Sequence, residues 1–148
     1  MSCSRSPALS YATLLLLLLA CESKAPEIYE IPDGYRGWVT IRFSRPSCEP
    51  LPKSGDTVVL KIAADGSLCT SSSLPEGMGH ETYYYMTNAG RTLLRQSGDG
   101  DDSIIRHVVY HGHDGEGPDH EQDRDRMVFF VGSEPEYDAS IARGSNPR

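Results

Sequence analysis

Basic charge is scarce in this 148-residue chain, where 14 Lys and Arg stand against 21 Asp and Glu, a formal net charge of −7. A nucleic-acid partner needs a basic footprint, so the balance excludes one. It equally excludes electrostatic attraction to anionic lipid. Long hydrophobic runs are missing as well. The most apolar stretch, from Ala12 to Cys21, is about half the ~20 residues that a membrane-spanning helix needs. Local catalytic signatures are absent: no G-x-S-x-G, H-E-x-x-H or S-x-x-K occurs. A hydrolase would have to assemble its triad in space from scattered residues. There is no C-x-x-C redox pair and no internal repeat.

What the chain does have begins with Leu14-Leu-Leu-Leu-Leu-Leu19-Ala20-Cys21, behind a start whose one charge is Arg5. A short apolar core after a positive start, closing on small residues, is the pattern of a secretory signal peptide. Leu18 is too large for the third position before an ordinary cleavage site. Leu18-Leu19-Ala20-Cys21 instead resembles the bacterial lipobox, and the resemblance implies that Cys21 becomes the acylated first residue of a lipoprotein. The bilayer is then a partner through several acyl chains, since one alone binds reversibly. Glu22 follows the cysteine where an Asp would suggest retention in the inner membrane, which favours the outer membrane in a cell that has one.

The expected organisation is a signal peptide over 1–20, an acylated cysteine and tether over 21–30, one β-rich domain over 31–142, and a disordered tail over 143–148. Taking 20 residues from 148 leaves 128, enough for one core. Among the 14 basic residues only Arg5 is lost, so 13 face 21 acidic ones, a formal −8. Of four cysteines, Cys3 leaves with the leader and Cys21 accepts the lipid. Cys48 and Cys69 remain, and outside the cytoplasm such a pair oxidises. A Cys48–Cys69 disulfide is expected, worth ~3 kcal/mol on the chain-entropy account.

Period-two alternation marks the strands. Val39, Ile41 and Phe43 alternate with Trp38, Thr40 and Arg42 after the Pro32-Asp33-Gly34 turn. Thr57 to Ile62 repeats the pattern, and Asp65-Gly66 reads as a hairpin turn into Ser67–Cys69. Glu81 to Met86 carries three tyrosines, a β-favouring run, and Asn88-Ala89-Gly90 turns it into Arg91–Arg95. Ser103 to Tyr110 is a longer strand whose buried face the residues do not choose. Met127 to Val131 is apolar on both faces, as a fully covered central strand would be. Ser133 and Glu136 match a capping box, so a short helix is expected from Glu134 to about Ala142. About seven strands with regular turns predict an all-β, sandwich-like fold with a short C-terminal helix.

Three segments together, Ile31-Pro-Asp-Gly-Tyr-Arg-Gly-Trp-Val39, Gly66-Ser-Leu-Cys-Thr-Ser-Ser72 and Phe129-Phe-Val-Gly-Ser133, resemble a family of uncharacterised bacterial exported domains of the DUF6843 type. The likeness spans roughly residues 30–138. It implies an exported β-rich domain, and it carries no activity or catalytic residues to transfer.

Two groups of side chains are candidates for chemistry. His107, His111, His113 and His120 lie among Asp114, Glu116, Asp119 and Glu121, and on an extended chain His107, His111 and His113 share a face. Imidazoles and carboxylates are ligands that zinc or copper accepts, so His111, His113, His120, Asp114 and Glu116 form a candidate metal set. Tyr35, Trp38, Tyr83 and Tyr85 form a candidate aromatic surface for a glycan or peptide. Asp99, Asp101 and Asp102 have calcium-loop character, but their spacing departs from an EF-hand. The leading reading is a membrane-anchored envelope module, non-enzymatic and without a cofactor, that binds a ligand or serves as structure. An envelope metal-binding protein is the second reading, and a hydrolase the third.

Overall fold

A computed structural model describes residues 25–75, 79–97, 104–111 and 125–145. Among the described residues nine strands form two sheets packed face to face, and one helix follows them. In chain order the strands are β1 (Glu27–Pro32), β2 (Gly37–Arg42), β3 (Lys53–Ser54), β4 (Thr57–Lys61), β5 (Ser67–Cys69), β6 (Glu81–Thr87), β7 (Gly90–Leu94), β8 (Ile105–His111) and β9 (Arg126–Val131). They are followed by α1 (Glu134–Ala142). One sheet has the order β3-β4-β1-β6-β7 and the other β5-β2-β9-β8. This is the expected sandwich-like fold with its C-terminal helix.

The core follows the sequence alternation. Val39, Ile41 and Phe43 from the β2 segment meet Met127, Phe129 and Val131 of β9, all at most 1% exposed. Facing them from the other sheet are Tyr29, Ile31, Leu60 and Tyr83, also within 1%. The Tyr29 and Tyr83 rings stack at 4.5 Å, and Phe129 sets its edge against both, at 5.9 and 5.3 Å. β9 is buried at every residue. Its inward side chains fill the core, while Phe130 on its outer face packs under Tyr137 of α1. That second cover is why the segment reads as apolar on both faces.

Four expectations are corrected. The tether is shorter than 21–30: Glu27–Pro32 is β1, the middle strand of its sheet, hydrogen-bonded in parallel to β4 and β6. A proline and two charged residues hid it, because Glu27 and Glu30 are buried (2% and 8% exposed) through hydrogen bonds a sequence does not display. Asp65-Gly66 does not close a hairpin, since it carries the chain from β4 in one sheet to β5 in the other, where β5 pairs in parallel with β2. β8 has no single inward face. Its register slips between Arg106 and Val109, and His107 takes a positive φ of 50°. The bulge re-aims the side chains beyond it, so Ile105 is buried while Val109 and Tyr110 are 45% and 41% exposed. His107 and His111 therefore do not share the simple face an extended strand would give them. Lastly, Tyr83 is core rather than surface.

Cys48 and Cys69 form a disulfide with a Cα–Cα distance of 5.8 Å. It closes a loop 21 residues long, worth ~3 kcal/mol through the unfolded chain's lost entropy. The bridge holds the loop after β2 against the end of β5. The same two stretches share the bonds Arg45 N–H to Thr70 O and Ser71 N–H to Glu49 O. On the opposite flank the sheets touch directly, where the Arg95 carbonyl accepts from the N–H groups of Ile104 and Ile105.

Parallel pairing makes β1, β4 and β6 all begin at one end of the sandwich, here the proximal end. The Tyr110 hydroxyl reaches Glu81 there, and Phe43 N–H donates to the Asp125 carbonyl, so β8 finishes and β9 starts at that end as well. The β1–β2 turn, the Asp65-Gly66 turn, the β6–β7 turn and α1 gather at the distal end.

Candidate functional site

At the distal end the chain turns through Asp33-Gly34, with Tyr35 N–H donating to the Pro32 carbonyl. Tyr35 then folds back so that its hydroxyl donates to the Trp38 carbonyl at 2.5 Å, while the Tyr85 hydroxyl donates to the Tyr35 carbonyl at 2.7 Å. Gly66 sits against this hinge with φ +82°, and a Cβ there would lie 1.9 Å from the Tyr35 hydroxyl and 2.6 Å from the Trp38 carbonyl. Only glycine fits both the backbone and the space. Burial raises the Tyr35 hydroxyl pKa, with the Asp65 charge adding to it. Asp65 itself is held below its ordinary value by the Ser67 hydroxyl and backbone N–H.

α1 lies across the outer face of β2 and β9. Trp38 and Phe130, opposite each other in the β2–β9 register, stand on that face with ring centroids 5.3 Å apart. Tyr137 reaches down from the helix to both rings, at 5.7 and 5.6 Å. His107, turned outward by the bulge, stacks flat on Tyr137 at 3.8 Å. The Trp38 indole N–H donates to Ser140 Oγ at 3.2 Å, and that hydroxyl donates to the Tyr137 carbonyl at 2.7 Å. Ser140 thus has an indole and a carbonyl as partners, and among the described residues neither an imidazole nor a carboxylate bonds to its hydroxyl.

The start of α1 is fixed by its capping box. One carboxylate oxygen of Glu136 accepts from the Ser133 N–H at 2.6 Å and the Ser133 hydroxyl at 2.8 Å. It also pairs with Arg36 at 3.1 Å. These bonds, the Ser133 N–H foremost, hold the Glu136 carboxyl below its ordinary value. On its other side the helix is tied to β8, where Arg106 donates to the Gly132 carbonyl at 3.1 Å and pairs with Glu134.

Between α1 and β2 this packing leaves an open groove of about 540 Å³. Its apolar wall is Trp38, Phe130, Pro135 and Ala139, and Arg36 and Arg143 stand at its mouth. A concave, mostly apolar site with a few convergent polar groups is the usual form of a small-molecule pocket.

The proximal end is built differently. Glu27 and Glu81 are direct neighbours across β1 and β6. The Tyr29 hydroxyl donates to Glu27 at 2.8 Å, the Tyr83 hydroxyl donates to Glu81 at 2.7 Å, and Tyr110 donates to Glu81 from β8. Burial raises the pKa of all three hydroxyls, and the neighbouring carboxylates add to it. This is a closed polar network inside the packing rather than a cleft.

Of the aromatic set read from the sequence, Trp38 lines the groove, Tyr35 and Tyr85 brace the turn beside it, and Tyr83 is in the core. Among the metal candidates only His111 is described, at the exposed end of β8. His113, His120, Asp114 and Glu116, like the Asp99–Asp102 segment and Cys21, lie outside the described residues. Among the described residues no three His, Cys, Asp or Glu side chains come together as a metal site, and no helix is long and apolar enough to cross a membrane. The sequence reading missed Arg36, Arg143, Tyr137 and Ser140. Tyr137 and Ser140, three apart on a capped helix, were the available sign of a helix face packed on something.

The fold has a solved counterpart: a Bacillus anthracis crystal structure described as a "Putative Lipoprotein" aligns over 74% of this chain and 71% of its own, with 23% identity and a TM-score of 0.54. No curated protein matches the chain significantly. Residues 23–137 match the family of unknown function DUF6843, and with that match spanning both sheets and the start of α1, the chain belongs to the DUF6843 family.

Proposed function

We propose that this protein is a lipid-anchored module of the cell envelope, non-enzymatic, that binds a ligand in its distal groove. One observation carries the reading: the groove opens at the end of the sandwich opposite the start of β1. The lipobox-like Leu18-Leu19-Ala20-Cys21 supplies the anchor, and the description of the Bacillus anthracis structure agrees with it. Glu27 lies six positions after Cys21, a reach of ~20 Å at full extension. An acylated Cys21 would therefore keep the proximal end near the bilayer and present the groove away from it. The disulfide suits an oxidising compartment. Ser140, with its hydroxyl committed to a carbonyl, suits binding rather than nucleophilic chemistry.

Cys21→Ala tests the anchor. The wild-type chain should fractionate with membranes and carry acyl mass on Cys21, and the variant should move to the soluble fraction or keep its leader. A variant that stays membrane-bound after cleavage at another site would overturn the reading.

A further inference from the structure

We propose that the distal groove takes a small organic carboxylate with an aromatic or apolar body, its carboxylate held by Arg143. The inference rests on the groove being the binding site. It adds the chemistry of what binds.

Size and lining set the body of the ligand. A volume of about 540 Å³ lies within the usual range for small-molecule sites. The Trp38 N–H is already spent on Ser140, so the indole offers the groove an apolar surface. Phe130, Pro135 and Ala139 continue that surface.

Charge sets the head. The chain as a whole is acidic, at −7, yet the groove has two guanidinium groups and one carboxylate. One oxygen of that carboxylate, on Glu136, accepts from Ser133 twice and from Arg36. Arg36 is thereby neutralised. Arg143 has no carboxylate partner among the described residues, so the mouth carries one uncompensated positive charge. A guanidinium presents a planar fork that fits a carboxylate through two parallel hydrogen bonds. One free fork beside an apolar wall matches a ligand with one carboxylate and one apolar group.

Trp38 is the chain's single tryptophan, so its fluorescence reports the groove directly. The test titrates the full chain with N-acetylphenylalanine and with N-acetylphenylalaninamide, which has the same body without the charge, following Trp38 emission and heat. Saturable binding of the acid, about tenfold tighter than the amide, is expected, and Arg143→Ala should remove that difference. Lys53→Ala, an equal loss of charge on β3, should leave it intact. Equal binding of acid and amide, undiminished preference in Arg143→Ala, or no heat and no fluorescence change below ~1 mM would overturn the proposal. Cys21→Ala should bind the acid as the wild type does, so a failed anchor and a failed groove give different results.

Discussion

The two ends of the sandwich hold similar residue types and use them in opposite ways. At the proximal end, Glu27 and Glu81 sit side by side and three tyrosine hydroxyls point at them. Tyr29 and Tyr83 turn their hydroxyls inward onto these carboxylates, and Tyr110 caps Glu81 from the rim. At the distal end, Tyr35, Tyr85, Glu136 and Arg36 make a comparable network, but they spend their bonds on a turn and a helix cap. The groove between them stays open, with Arg143 at its mouth. What separates the two is cover. β8 lays Tyr110 over the proximal carboxylates, whereas α1 touches Trp38 through Ser140 and Tyr137 and still leaves its indole only half-buried. A closed network adds stability, and an open one can add a ligand.

The sharpest way to break this comparison is within β6, where Tyr83 and Tyr85 point the same way two residues apart. Tyr83 is 1% exposed, stacked on Tyr29 and edged by Phe129. Truncating it opens a cavity and leaves the Glu81 carboxylate short of a donor. Tyr83→Ala should cost ~3–5 kcal/mol in a urea or thermal unfolding measurement. Tyr85→Ala, at a half-buried position, should cost ~1–2 kcal/mol through its lost bond to the Tyr35 carbonyl and lost packing. Equal costs would mean that the distal end is as much core as the proximal one.

Alkali separates the ends by a second route. Tyr29, Tyr83 and Tyr110 have folded-state pKa values raised above the ordinary 10.0 by burial and by Glu27 and Glu81. A raised folded pKa means that the folded chain holds the proton more tightly than the unfolded one. The stabilisation is complete below about pH 10, and it is lost as pH climbs beyond that value. Tyrosinate absorbance of the buried Tyr29 and Tyr83 should therefore rise only as the fold is lost, in one step with the circular dichroism signal. Independent titration of all the tyrosines ahead of unfolding would show that the proximal network is open to water.

Much of this architecture was legible in the chain and some was not, and the division follows the source of each residue's burial. Val39-Thr40-Ile41 and Met127–Val131 announce themselves because apolar side chains bury for their own sake. Ser133 and Glu136 announce α1 because a cap is a local bond between residues three apart. β1 did not, because its two glutamates are buried all the same, Glu27 under the Tyr29 hydroxyl and Glu30 against Arg91 on β7 at 2.5 Å. Asp65-Gly66 looked like a hairpin because a turn signal states that the chain reverses and not which sheet receives it. Trp38 was legible as a candidate, while Arg36 and Arg143 were not, since nothing local links them to it. The groove exists only once a helix from the C-terminal end of the chain lies on an early strand.

The gentlest test lies at the groove's own rim. Glu136 holds the first turn of α1 and neutralises Arg36, and its carboxyl is kept below its ordinary value by the Ser133 bonds and by Arg36. A depressed folded pKa gives stability that is present above the ordinary value of 4.5 and fades as pH falls through the folded one. Its side chain is 47% exposed, so solvent screens much of the ion pair and the cap bonds are the main contribution. Glu136→Gln should cost at most ~1 kcal/mol at neutral pH, and the gap from wild type should narrow in unfolding curves below about pH 4.5 as the wild-type carboxyl takes up its proton. The same change frees Arg36, so the groove's mouth gains a second uncompensated charge. A variant that loses a little stability and yet binds N-acetylphenylalanine more tightly would separate what this end gives the fold from what it gives the ligand. Weaker binding would mean that Glu136 faces the ligand itself, and that the carboxylate preference belongs to some other surface.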